Sequence, residues 1–228
     1  MKTLNCTALI TLALGTVACH TASGATFFQQ NPYLSAADIP AGFYGGGSPQ
    51  ALENFEDGTL DFGITADNGG VIPPGFSGAI DSVAGDGNPS DPLGVRGHSW
   101  FSGSGSVTLT IPSGHTAAGV VWTDGANPVF VEFFGPGGSL GVQGPFNIAD
   151  GSFFGTTGED TFFGLQDPGG ITQIHIWNLG GGIELDHGQY GLAPTPTQPS
   201  VPELGSSVIC LLLGLAGVMG FKNHTKRS

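Results

Sequence analysis

An all-β fold, two antiparallel sheets packed face to face as a jelly-roll-like β-sandwich, is what the sequence predicts, and three observations predict it. Short segments alternate apolar and polar residues with a period of two, the pattern of strands that bury one face. Each segment is bounded by Gly, Pro, Asn or Asp, which supply turn conformations. No helical periodicity of any length occurs between residues 50 and 192, so the crossover helices of a parallel sheet are missing.

The elements follow in chain order. Leu60 to Ala66 is the first strand expected in the body, bounded by Gly58 and Asn68. Val107, Leu109 and Ile111 share one face opposite Thr108 and Thr110, the clearest alternation in the chain. Ala117 to Thr123 is next, then Val129, Val131 and Phe133 with Glu132 on the other side. Thr161 to Gln166, the pair Ile174 and Ile176, and the pair Ile183 and Leu185 complete the set. Phe153-Phe154 and Phe162-Phe163 are each expected to send one ring into the core, because neighbours on a strand point to opposite faces. No repeat of fixed period is found, which excludes propellers and β-helices. Between Val71 and Gly97, Pro73-Pro74, Gly85-Asp86-Gly87-Asn88 and Asp91-Pro92 mark a long irregular excursion, and loops of that length tend to carry function.

Composition narrows the function classes. The chain has 41 Gly and 16 Pro in 228 residues, but 39% hydrophobic residues and 16 Phe are more apolar material than a disordered chain holds. All 18 acids lie between Asp38 and Glu203, and from residue 26 to 200 there are 17 acids against Arg96 alone, a net charge of −16. Nucleic acid is excluded as a partner of this body, since phosphate binding requires a basic face. Cys6, Cys19 and Cys210 all fall in the terminal apolar segments, so no disulfide framework holds the body. The remaining length suits one domain that buries roughly two thirds of its unfolded surface.

Both ends read as addresses. Residues 1–25 have the form of a signal peptide: Lys2 at the start, an apolar stretch from Ala8 to Ala18, and small residues Ser23-Gly24-Ala25 where a signal peptidase reads, so export and cleavage near Ala25 are expected. Thr16-Val17-Ala18-Cys19 offers a competing lipoprotein box, with Thr16 where bacterial lipoboxes favour Leu. The body spans 26–193. A Pro-rich linker, 194–200, is stiff and extended. In the tail, 201–228, Val201-Pro202-Glu203 precedes an apolar run from Val208 to Phe221, a marginal transmembrane helix whose basic close at Lys222, Lys226 and Arg227 stays on the cytoplasmic side. Gly214, Gly217 and Gly220 form a small-residue stripe along that run.

This tripartite tail resembles the PEP-CTERM sorting signal of Gram-negative bacteria. The resemblance implies recognition by an exosortase, a membrane transpeptidase-like enzyme, in organisms that make exopolysaccharide. The family box is Pro-Glu-Pro, and Leu204 stands here in place of the second Pro. An unprocessed C-terminal membrane anchor is the alternative. The body also looks like a secreted domain found upstream of such tails, through Asn54-Phe55-Glu56-Asp57-Gly58, Gly119-Val120-Val121-Trp122-Thr123-Asp124-Gly125, Phe162-Phe163-Gly164 and Gly180 to Tyr190. That likeness implies a secreted β-sandwich and no established activity.

Candidate site residues pair the start of the body with its end. Glu56 and Asp57 precede the first body strand, while Glu184 and Asp186 occupy the face opposite Ile183 and Leu185 in the last. First and last strands are neighbours in jelly rolls, and similar sugar-binding modules hold Ca²⁺ there through an early Glu, a late Asp and main-chain carbonyls. Acids on neighbouring strands otherwise repel or stay solvated, and hard oxygen ligands suit Ca²⁺. Asp86-Gly87-Asn88-Pro89-Ser90-Asp91 mimics the start of an EF-hand loop but has Asp91 and Gly97 where Gly and a bidentate Glu are needed. Asp124-Gly125 and Asp150-Gly151 read as turns.

No catalytic residue is assigned. His98, His115, His175 and His187 are scattered singly, Gly103-Ser104-Gly105 lacks a nucleophile elbow, and Asp186 and His187, adjacent on a strand, should point to opposite faces. A glycosidase would need two carboxylates about 5 to 10 Å apart in a cleft. Trp177 shares parity with Gln173 and His175, on the more polar face of its strand, which makes it the candidate carbohydrate platform, with core packing of all three Trp as the plainer reading. The expected function is that of an exported, exosortase-processed, non-catalytic module associated with exopolysaccharide. A purely structural acidic matrix protein is the alternative, and a glycoside hydrolase a distant one.

Overall fold

The computed structural model describes residues 24–73, 83, 97–152 and 158–195. The leader, the Asp86 loop, Phe153-Phe154, most of the Pro-rich linker and the whole sorting tail, with Val201, Pro202 and Glu203, lie outside the described residues. Among those described, no helix is long and apolar enough to cross a membrane. The one helical element among the described residues is a 3₁₀ turn, Ala36–Asp38.

Twelve strands make up the described body: β1 (Thr26–Gln30), β2 (Ala51–Glu53), β3 (Thr65–Ala66), β4 (Gly70–Ile72), β5 (Ser99–Ser102), β6 (Ser106–Thr110), β7 (Ala117–Gly125), β8 (Val129–Gly135), β9 (Gly138–Phe146), β10 (Thr161–Gln166), β11 (Gln173–Asn178) and β12 (Ile183–Gly191). They form two sheets in which every pairing is antiparallel. The seven-stranded sheet runs β1-β10-β7-β12-β5-β4, with β2 also on β12, and the five-stranded sheet runs β3-β6-β11-β8-β9.

The period-two pattern explains the core between them. Trp100, Val120, Trp122, Phe163 and Leu185 from the larger sheet pack with Val107, Leu109, Val131, Phe133 and Ile176 from the smaller one in a single apolar cluster. Burying such side chains is worth about 1.5–3 kcal/mol each, which makes this cluster the main source of stability.

A second cluster covers the opposite face of the larger sheet. Ala117, Val121 and Phe162 lie there under Tyr33, Phe43, Tyr44 and Val83. The Phe162-Phe163 expectation is corrected accordingly: both rings are fully buried, one in each cluster. Gly164 belongs to the same arrangement, because a Cβ there would stand 2.6 Å from the Phe43 ring. The expected strand Leu60 to Ala66 is also shortened to Thr65–Ala66. Phe62 (φ 53°) and Gly63 (φ 72°) are left-handed, and Ile64 N–H closes a turn on the Asp61 carbonyl at 3.0 Å.

Candidate functional site

The carboxylates of the last strand are not solvated. Asp186 is 0% and Glu184 4% exposed, because the face they share is the covered face of the larger sheet. Asp186 Oδ2 accepts the Val83 N–H at 2.7 Å and Oδ1 accepts the His187 N–H at 2.6 Å. Glu184 Oε1 accepts a short hydrogen bond from Ser99 Oγ on β5. Burial raises the Asp186 carboxyl well above the ordinary carboxylate range, the two N–H donors oppose that rise, and the charges of Glu56 and Glu184 add to it.

Glu56 reaches the same region from the turn after β2. Phe55 takes a left-handed φ of 58° and sends its ring into the core. Glu56 Oε1 accepts the His98 N–H at 2.8 Å, and Oε2 lies 3.5 Å from His98 Nδ1. Asp57 is not brought to this group: its Oδ1 accepts the N–H and Oγ1 of Thr59, each at 2.9 Å, and these bonds lower its pKa.

Asp160 is the residue that sequence reasoning missed. It stands immediately before β10, is 0% exposed, and neither carboxyl oxygen has a hydrogen-bond partner among the described residues. Its main chain is fixed, since its carbonyl accepts the Tyr33 N–H at 2.8 Å. Burial raises its pKa to about 9, assisted by the negative charges of Asp186, Glu159, Glu184 and Asp124. Residues 24–73, 83, 97–152 and 158–195 contain no Lys or Arg; Arg96, the one basic residue between 26 and 200, lies outside them. A buried carboxyl with no hydrogen bond is costly unless it is neutralised, by a proton or by a cation. All the donors here are oxygens, which suits Ca²⁺. Among the described residues, however, no three of the His, Cys, Asp and Glu side chains close on a common point as they stand.

The histidines do not form a catalytic set. His98 faces Glu56, His115 lies on Tyr190, His175 meets Ser106 Oγ at 3.0 Å, and His187 meets Tyr33 Oη at 3.2 Å. Asp186 and His187 do not point to opposite faces as their adjacency predicts. His187 has φ 44° within a register shift of β12, and both side chains find partners in the outer layer, Val83 and Tyr33. Burial lowers the His187 pKa to about 4 and keeps the ring neutral.

Trp100 and Trp122 are core, whereas Trp177 lies half-buried on the outward face of the five-stranded sheet. It is directly opposite Phe130 of β8 and Ser106 of β6. The Trp177 and Phe130 rings are 5.3 Å apart and 12° from parallel, and His175, two residues back on β11, stacks on Trp177 at 4.6 Å and 19°. The surrounding positions of that face, Thr108, Glu132 and Gln173, are polar.

No family model, no curated protein and no solved structure matches the chain.

Proposed function

We propose that the chain is an exported, non-catalytic carbohydrate-associated module, carried to the surface of a Gram-negative cell and released into its exopolysaccharide by an exosortase. The single observation that carries the binding part is Trp177, stacked in parallel with Phe130 and His175 on an outward sheet face rather than buried with Trp100 and Trp122. Sugar rings present apolar C–H faces that pack on such aromatic groups, while the polar neighbours serve their hydroxyls. The strand order supports a jelly-roll sandwich: β5-β12-β7-β10 in one sheet and β6-β11-β8-β9 in the other are the interleaved halves of that winding.

Export and sorting rest on the signal peptide, the Val201-Pro202-Glu203 box, the transmembrane run and the basic end. Signal peptidase, exosortase and, before processing, the inner membrane are the partners this requires. Ca²⁺ would be held by Glu56, Asp186 and Glu184 with Asp160 added, the orphaned Asp160 carboxyl being the feature that favours it. Bound there, the ion supplies charge neutralisation and ties the turn after β2 to β12.

The test is retention on purified exopolysaccharide by affinity electrophoresis. The parent should be retarded and Trp177→Ala should migrate freely with an unchanged fold. Equal retardation of both would remove the platform. The second reading, a structural matrix protein without a small ligand, is favoured by the rings already covering parts of one another, as a cross-strand pair does in any stable sheet.

A further inference from the structure

A cleft of about 280 Å³ opens beside the loop between β11 and β12. Phe101, Asp124, Gly125, Ser152, Gly182 and Glu184 are among the residues lining it. Asp124 and Glu184 face each other in the register of β7 and β12. Glycine is needed where the backbone closes on the ring, since a Cβ on Gly182 would stand 2.6 Å from Phe101. Asn178 fixes the loop, donating to the Gly182 carbonyl at 2.8 Å and accepting the Gly180 N–H at 3.0 Å.

We infer that this cleft is a binding site, separate from the Trp177 platform, for one sugar ring that carries a protonated amino group. The inference rests on the reading of the chain as a carbohydrate-associated module and names a ligand class for it. The volume lies just under the roughly 300–1,000 Å³ of pockets that hold drug-sized ligands, room for one sugar ring. Phe101 offers an apolar surface, and the Asp124 carboxylate accepts from an ammonium group. Charge decides the class. A body of net charge −16 repels an anionic sugar and gives a neutral one nothing, whereas a charge-assisted bond from an ammonium group is about twice as strong as a neutral one.

The experiment is titration of the full chain in detergent with methyl β-glucosaminide, methyl β-glucoside and methyl N-acetyl-β-glucosaminide, followed by saturation-transfer NMR and calorimetry. The amine should bind at least tenfold more tightly than either neutral glycoside, and Asp124→Asn and Phe101→Ala should each lose at least tenfold of that affinity. Asp124→Asn is nearly isosteric, so its result stands even where Phe101→Ala disturbs folding. Equal affinity for amine and glucoside, no binding of the amine, or undiminished binding in Asp124→Asn with a parent-like melt would overturn the proposal. Loss of glucosaminide binding with polymer retention intact removes the cleft and leaves the platform. Glucosaminide binding without polymer retention supports the cleft and removes the platform.

Discussion

Asp160 and Asp186, both fully buried on the covered face of the larger sheet, lie close enough that the charge of Asp186 helps hold the proton on Asp160. One reaches the face from the start of β10 and the other from the middle of β12, with β7 between them. Neither has a Lys or Arg beside it among the described residues. What neutralises this pair therefore governs stability, and two measurements read it.

Calcium at millimolar concentration over a micromolar site should stabilise the body by about 4 kcal/mol. The melting temperature should fall on addition of chelator, and that fall should be absent in Asp186→Ala and in Asp160→Asn. A melt indifferent to chelator in the parent would assign the neutralising role to protons.

Without the cation, stability should depend on pH in a definite direction. Above the ordinary carboxyl value near 4, the unfolded chain gives up a proton that folded Asp160 keeps until about pH 9. The folded state then holds the extra proton, and stability falls with rising pH by about 1.4 kcal/mol per pH unit. His187 acts in the opposite sense: with its value lowered to about 4 from 6.5, the unfolded chain holds the extra proton in that interval, and stability rises with pH. The two effects oppose each other below about pH 6.5 and leave a fall between 6.5 and 9; Asp186, raised in the same direction as Asp160, acts in the same sense as Asp160. Denaturation in chelator should show that fall, reduced in Asp160→Asn. Rising stability across the interval would contradict the buried proton.

Trp177 and Trp122 should separate sharply on truncation. Trp122→Ala opens a cavity in the main core and should cost about 3–5 kcal/mol. Trp177→Ala removes a half-buried ring and its stack on Phe130, a pair worth about 0.5–1.5 kcal/mol beyond its burial. Urea unfolding of both variants measures the difference. Comparable losses would place Trp177 with the core.

The mature protein recovered from the envelope should lack residues at both ends, as intact mass will show. Persistence of Lys222 to Ser228 on that species would exclude exosortase processing.

The strands that bury one face between the sheets were legible, because Val107-Leu109, Val129-Val131-Phe133 and Ile174-Ile176 alternate cleanly. β9 was not, since Gly138–Phe146 has no fully buried residue to impose a period. The site was half legible. Parity put Glu184 and Asp186 together opposite the main core, but a polar face reads as wet unless something covers it, and the covering layer of Tyr33, Phe43 and Tyr44 has no strand period of its own. One signal for that layer was available: Phe162 and Phe163 in succession make a strand apolar on both faces, which only a two-sided burial accommodates. Reading it would have turned attention to Asp160, two residues before.

β12 is hydrogen-bonded to β7, β5 and β2 and ends at Gly191, just before the Pro-rich stretch. Tension arriving from the C-terminal side is therefore delivered first to a central strand, held on both sides by neighbouring strands, rather than to the sheet's rim. A tether on that side would pull on the best-anchored strand of the larger sheet, while β1, at its edge, is not the strand that receives the load.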